Sequence, residues 1–136
     1  MNLLKGLKRF FAKTPKPQIS SSQSLQLLEG QKHQRNGDLN NAFNCYKKAI
    51  EESPFNPDAY LALGNILAAT CKFQEAASYF QKAIQLKPSF VEAHCNLGSC
   101  LKDMGYLQEA MASYRQAIEI SPSFLTAHVN MGNTLL

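Results

Sequence analysis

The sequence predicts an all-α solenoid. Three observations carry that prediction: a period of 34 residues, columns of small residues that recur at it, and a proline that closes each period. Gly30, Gly64, Gly98 and Gly132 fall in one column, Ala42, Ala76 and Ala110 in a second, Ala49, Ala83 and Ala117 in a third, and Pro54, Pro88 and Pro122 in a fourth. Large residues repeat as faithfully, through Tyr46, Phe80 and Tyr114 and through Ile50, Ile84 and Ile118. In such an array each unit packs on its neighbours, so the 136 residues count units and not core volume. The complete units are 23–56, 57–90 and 91–124, followed by a partial unit at 125–136.

Ahead of the array, residues 1–22 form a basic tail and linker. Leu3, Leu4, Leu7, Phe10 and Phe11 share one helical face, with Lys5, Lys8 and Arg9 mostly off it. Leu3, Lys5, Leu7, Lys8, Arg9, Phe10 and Phe11 are therefore the candidate contacts for an anionic membrane surface. Docking of the tail on the array, or no fixed structure at all, explains the same residues. Charges interrupt the apolar residues and leave no adequate apolar core region, so a secretory signal is not expected. Pro15, Pro17 and the serines at 20–22 make Thr14 to Ser22 a linker.

Each complete unit reads as two helices. In the second unit Asp58 sits near a helix start, and Tyr60, Leu63, Gly64 and Leu67 make the packing stripe. The second helix presents Ala76, Phe80, Ala83 and Ile84 before Lys87 and Pro88 stop it. Gly64 and its column mates occupy places where a side chain would separate helices, and Gly98 is expected to set the contact between the second and third units. Gly37 and Gly105 suit the left-handed turn between paired helices; Cys71 takes that place in the second unit, where it costs about 1 kcal/mol. Glu29 stands in the column of Leu63, Leu97 and Met131, so the first helix is expected to be looser, or Leu28 to rotate inward.

Charge and chemistry narrow the function. Five of the fourteen basic residues lie in residues 1–22 with no acid among them, leaving nine against ten acids in the array. A nearly neutral array gives no electrostatic reason to expect nucleic acid. Cys45, Cys71, Cys95 and Cys100 lack metal or disulfide spacing and read as packed thiols of a reducing, cytoplasmic setting. No run is apolar enough to span a membrane. His94 and His128 share a column with Tyr60 and read as packing residues, since no i, i+4 ligand pair forms; His33 stands alone. No nucleophile motif or phosphate-cradling loop occurs, so no catalytic residue, metal or cofactor is expected and the chain reads as a non-enzyme.

A two-helix unit of this length, with paired small residues, an aromatic between them and a closing proline, resembles the tetratricopeptide repeat (TPR) family over residues 23–136. The resemblance implies a right-handed superhelix of antiparallel helix pairs whose concave face, lined by first helices, holds peptides or extended protein segments. Leu107 to Leu135, with Ser121-Pro122-Ser123-Phe124 and Asn130-Met131-Gly132-Asn133-Thr134-Leu135, looks most like the arrays that precede O-linked N-acetylglucosamine transferase domains. Those arrays carry an asparagine ladder, matched here at Asn96 and Asn130 and broken at Leu28 and Ala62. The alternative function implied is a substrate-recruiting arm of a longer glycosyltransferase; similar arrays also precede methyltransferases and sulfotransferases. Another subgroup clamps acidic chaperone tails with lysine, arginine and asparagine. Here Leu27, Leu61, Cys95 and Val129 stand where a lysine is wanted, and Asp58 and Glu92 in another clamp column, so that partner is not expected.

The candidate peptide-binding residues are Gln31, Asn65, Asn96, Lys102, Asn130 and Asn133, polar positions on the first helices. An amide is both donor and acceptor and satisfies a peptide backbone without demanding a particular side chain. The partial unit lacks a cap, so Val129, Met131, Leu135 and Leu136 are expected to favour self-association.

Overall fold

The computed structural model describes residues 21–135. The predicted membrane-surface residues, most of the linker and Leu136 lie outside them. Seven helices follow one another: α1 (Ser21–Arg35), α2 (Leu39–Glu52), α3 (Pro57–Ala69), α4 (Phe73–Leu86), α5 (Val91–Asp103), α6 (Leu107–Ile120) and α7 (Leu125–Leu135). Each packs on the next, and the first helices of successive units also touch, α3 on α5 and α5 on α7. The fold is the all-α solenoid that the period predicts. Helix α1 begins at Ser21, so the linker ends two residues earlier than the proline and serine run suggests; serine is at home at a helix start.

Local chemistry sets the helix ends. Asp38 caps α2, accepting from the Asn41 backbone N–H at 3.2 Å and from Asn41 Nδ2 at 2.6 Å. These bonds, the side-chain one foremost, hold the Asp38 carboxyl below its usual range. Asn56 caps α3 by accepting from the Asp58 N–H at 3.0 Å, with Pro57 in the first turn, where its missing N–H leaves no bond unmade. The three turns within units take positive φ at Gly37 (78°), Cys71 (60°) and Gly105 (88°). Cys71 thus adopts the left-handed conformation that its column demands, as a non-glycine residue.

The core is a run of small clusters along the stack. The aromatic column is fully buried, with Tyr46, Phe80 and Tyr114 at 0% exposure, as are the alanine columns at 42, 76 and 110 and at 83 and 117. Contrary to expectation, the glycines meet the aromatic of their own unit. A Cβ on Gly64 would lie 2.5 Å from Phe80 Cε1, and one on Gly98 would lie 2.7 Å from Tyr114 Cε1. The close approach between units belongs to an alanine column that sequence reading passed over, Ala59, Ala93 and Ala127, each at 0% exposure. Ala93 shares a buried cluster with Ala83 of the unit before it, and Ala127 does the same with Ala117.

Several expectations are corrected at the ends. Leu28 does not rotate inward; it is 60% exposed, and Glu29 is exposed beside it, because no described unit packs against that side of α1. Leu27 supplies the apolar contact instead, against the Ala42, Tyr46 and Leu63 cluster. At the other end Leu125, Val129 and Leu135 are exposed, whereas Met131 packs on the Tyr114 cluster. The cysteines divide: Cys95 and Cys100 are buried, Cys45 is half-buried, and Cys71 lies exposed at its turn, so packing explains only some of them. No helix among the described residues is long and apolar enough to cross a membrane.

Candidate functional site

The first helices α3, α5 and α7 come together because small residues in their packing stripes let α4 and α6 approach from behind. Their remaining polar residues form one cross-linked face. Asn96 Nδ2 on α5 donates to Asn65 Oδ1 on α3 at 2.8 Å. One unit later Asn130 Nδ2 on α7 donates to Ser99 Oγ on α5 at 3.3 Å. The two bonds are the same bond repeated, since Asn96 and Asn130 share one column and Asn65 and Ser99 share another. Ser99 Oγ also lies 3.1 Å from the Tyr114 hydroxyl, tying the face to the buried aromatic column. Burial pushes the Tyr114 phenol above its ordinary range, so it stays a neutral hydrogen-bonding group at physiological pH.

Between α3 and α5 this face opens into a recess of about 180 Å³ lined by Asn65, Ala68, Phe73, Phe80, Asn96, Ser99, Cys100 and Asp103. Two of its lining positions differ from the first unit. In the first unit Tyr46 donates its hydroxyl to Gln34 Oε1 at 2.8 Å. In the second unit Phe80 lacks the hydroxyl, and Ala68 stands in the column of Gln34. A second, more open recess of about 380 Å³ lies over Gln31, Gln34 and Arg35 on α1.

Of the predicted site residues, the structure brings Asn65 and Asn96 into one recess and places Asn130 one rung further along. Gln31 lines the separate recess on α1. Lys102 is half-buried and lines neither recess, and Asn133 is exposed on α7. Sequence reading missed Ser99 and Asp103. The column of Ser99 also holds Gln31, Asn65 and Asn133, which is the signal that would have found it.

The histidine column also needs correction. His94 and His128 are not core residues; each ring Nε2–H donates to the proline carbonyl six residues before it, Pro88 at 2.9 Å and Pro122 at 2.8 Å. Tyr60 does the same to Pro54 at 2.9 Å. The column therefore braces the loop between units, and its fixed offset from the proline column was visible in the sequence. His33 Nδ1 lies 3.6 Å from Asp38 Oδ2. No cluster of potential metal ligands occurs among the described residues.

These features define a helical-repeat module whose first helices share a hydrogen-bonded polar face. Tetratricopeptide repeat models match residues 27–89 and 91–124, and the chain belongs to the tetratricopeptide repeat family. No curated protein sequence matches it. Among solved structures, the first TPR domain of Spaghetti (RPAP3) bound to the HSP90 peptide SRMEEVD is similar, with a TM-score of 0.83 at 23% identity over 85% of this chain and 92% of that one. An O-GlcNAc transferase of Thermobaculum terrenum gives 0.82 at 23% identity, over 88% of this chain and 23% of that one. The second TPR domain of human RPAP3, in complex with the HSP70 peptide SGPTIEEVD, gives 0.77 at 19% identity over 84% and 98%. At these identities the likeness is one of fold.

Proposed function

We propose that this chain is a non-catalytic scaffold that holds an extended peptide or protein segment along the face of its first helices. The repeated amide bond from one first helix to the next carries the reading. It fixes the Asn65–Asn96 and Ser99–Asn130 pairs one unit apart, and Asn96 and Asn130 each keep a side-chain carbonyl oxygen for a ligand backbone, while Asn130 Nδ2 is shared between Ser99 Oγ and Cys95 Sγ. Units about 10 Å apart and a strand rise of about 3.3 Å give one rung for roughly every three ligand residues. Two of the similar structures hold acidic peptides, but this face lacks the cations for that ligand: Leu27 and Leu61 pack inward and Cys95 is 1% exposed.

Changing Asn96 and Asn130 together to alanine tests the reading. Each lost bond should remove about 1 kcal/mol, so the variant should remain helical with a lower melting temperature. Its affinity for peptides selected from a random unstructured library on the parent should fall roughly tenfold, as measured by fluorescence anisotropy. Unchanged affinity overturns the role given to these rungs.

A second reading makes the array the substrate-recruiting arm of a longer transferase. It draws on the resemblance of Leu107 to Leu135 and on the fold shared with the bacterial O-GlcNAc transferase, of which this chain spans 23%. A full-length transcript encoding a nucleotide-sugar domain downstream would support it; a stop codon soon after Leu136 would exclude it. We also assign the basic tail to the surface of a cytoplasmic membrane and the exposed α7 face to self-association. Sedimentation of the chain with and without residues 1–22, alone and with anionic vesicles, reads both. The tail should raise vesicle binding without changing helicity per array residue, and association should persist in the deletion. Equal vesicle binding removes the tail's role, and a strictly monomeric deletion removes that of α7.

A further inference from the structure

The recess between α3 and α5 departs from the chemistry of the rest of the face. Its floor is apolar, from Phe73, Phe80, Ala68 and Cys100, and its rim is polar, from Asn65, Asn96, Ser99 and Asp103. At about 180 Å³ it is smaller than the roughly 300–1,000 Å³ of pockets that enclose small-molecule ligands, and it matches a single long side chain. The rim is rich in acceptors. Asn96 uses an N–H toward Asn65, which leaves its own carbonyl oxygen for a ligand. Asp103 is exposed and forms no ion pair with another described residue, although it ends the helix that lines the recess. Lys102, its neighbour in sequence, does not line the space.

We propose that this recess receives an arginine side chain from the extended segment that the scaffold holds, an inference that rests on the peptide-binding reading above. The aliphatic stem and planar head of arginine suit the Phe73 and Phe80 floor, and five N–H donors match a rim of amide and carboxylate oxygens. A glutamate or aspartate would instead face the Asp103 carboxylate. Lysine offers a compact charge without the planar stack, and so fits less well. The scaffold therefore selects segments with an arginine at one fixed place, the recess that Phe80 and Ala68 floor.

The test uses the 15N-labelled full chain and four seven-residue peptides of alternating serine and glycine, carrying arginine, citrulline, norleucine or glutamate at the centre. Citrulline keeps the shape of arginine without its charge. In NMR titrations that follow the Asn65 and Asn96 side-chain amides, the arginine peptide should bind about fivefold tighter than the citrulline peptide, the scale of an exposed ion pair. Asp103→Asn should erase that difference. The double change Ala68→Gln with Phe80→Tyr, which installs the hydrogen-bonded Gln34 and Tyr46 pair of the first unit and adds bulk to the floor, should abolish the preference while the helical spectrum persists. Equal binding of all four peptides overturns the inference and leaves the scaffold reading intact, as does a preference that survives Asp103→Asn. Should no peptide move these signals at millimolar concentration, both readings fall.

Discussion

Gly98→Leu should destabilise the array by about 3 kcal/mol or more, at the upper end of what overpacking costs. Even a Cβ at this position would come within 2.7 Å of Tyr114 Cε1, 2.8 Å of Cδ1 and 3.0 Å of Cζ. Tyr114 cannot swing aside, because it is fully buried with its hydroxyl engaged by Ser99. The damage should begin inside the third unit, between α5 and α6, and reach the neighbouring units only through the displaced helices. Gly132→Ala provides the internal contrast. No atom lies within 4 Å of a Cβ there, since no following helix covers α7 among the described residues. Alanine should then be neutral or stabilise by up to about 1 kcal/mol through helix propensity alone. Urea unfolding followed by circular dichroism measures both. Equal midpoints for the parent and Gly98→Leu would show that the glycine column has no packing role.

This contrast also shows what a repeat makes legible. The period, helix pairs, buried aromatic column and left-handed turn at Cys71 could all be read because each small or apolar residue recurs where geometry demands it. Which surface a residue packs against was harder. Gly98 was assigned to the contact between units, but an i, i+3, i+4 stripe says only that a face is buried and not against what. The Ala59, Ala93 and Ala127 column that makes that contact was visible yet passed over, its first-unit position being the exposed Leu25. At the candidate site, Asn65, Asn96 and Asn130 were legible as polar residues on first helices. The bonds among them were not, because each links residues 31 apart, and that offset differs from the repeat by one turn of helix. Asp103 and the recess emerged only with coordinates. They depend on how residues of α3, α4 and α5 come together around one space, which no single column of the repeat records.

Raising the pH from 8 to 11 should unfold the array progressively, driven by thiols and phenols that the fold keeps neutral. Burial pushes the Cys100 thiol up to about 11 from an ordinary 9.0, with the nearby Asp103 charge adding to the effect. Burial likewise raises Cys95, Tyr46, Tyr60 and Tyr114. For each group the folded value exceeds the unfolded one. Below the unfolded pKa both states hold the proton and stability is at its full level. Above it the unfolded chain releases the proton while the folded chain retains it, so stability falls until the folded value is passed. For Cys100 alone, two pKa units correspond to about 2 to 3 kcal/mol by pH 11, a large share of what a small domain possesses. The tyrosines begin to contribute about one unit later, since their ordinary value is 10.0. The urea midpoint should therefore hold steady to about pH 8.5 and then drop with increasing slope. Cys100→Ala should lower stability at neutral pH by removing buried contacts, yet flatten the decline between pH 9 and 11, because alanine has no proton to lose. A decline as steep in Cys100→Ala as in the parent would place the alkaline sensitivity elsewhere than in this thiol.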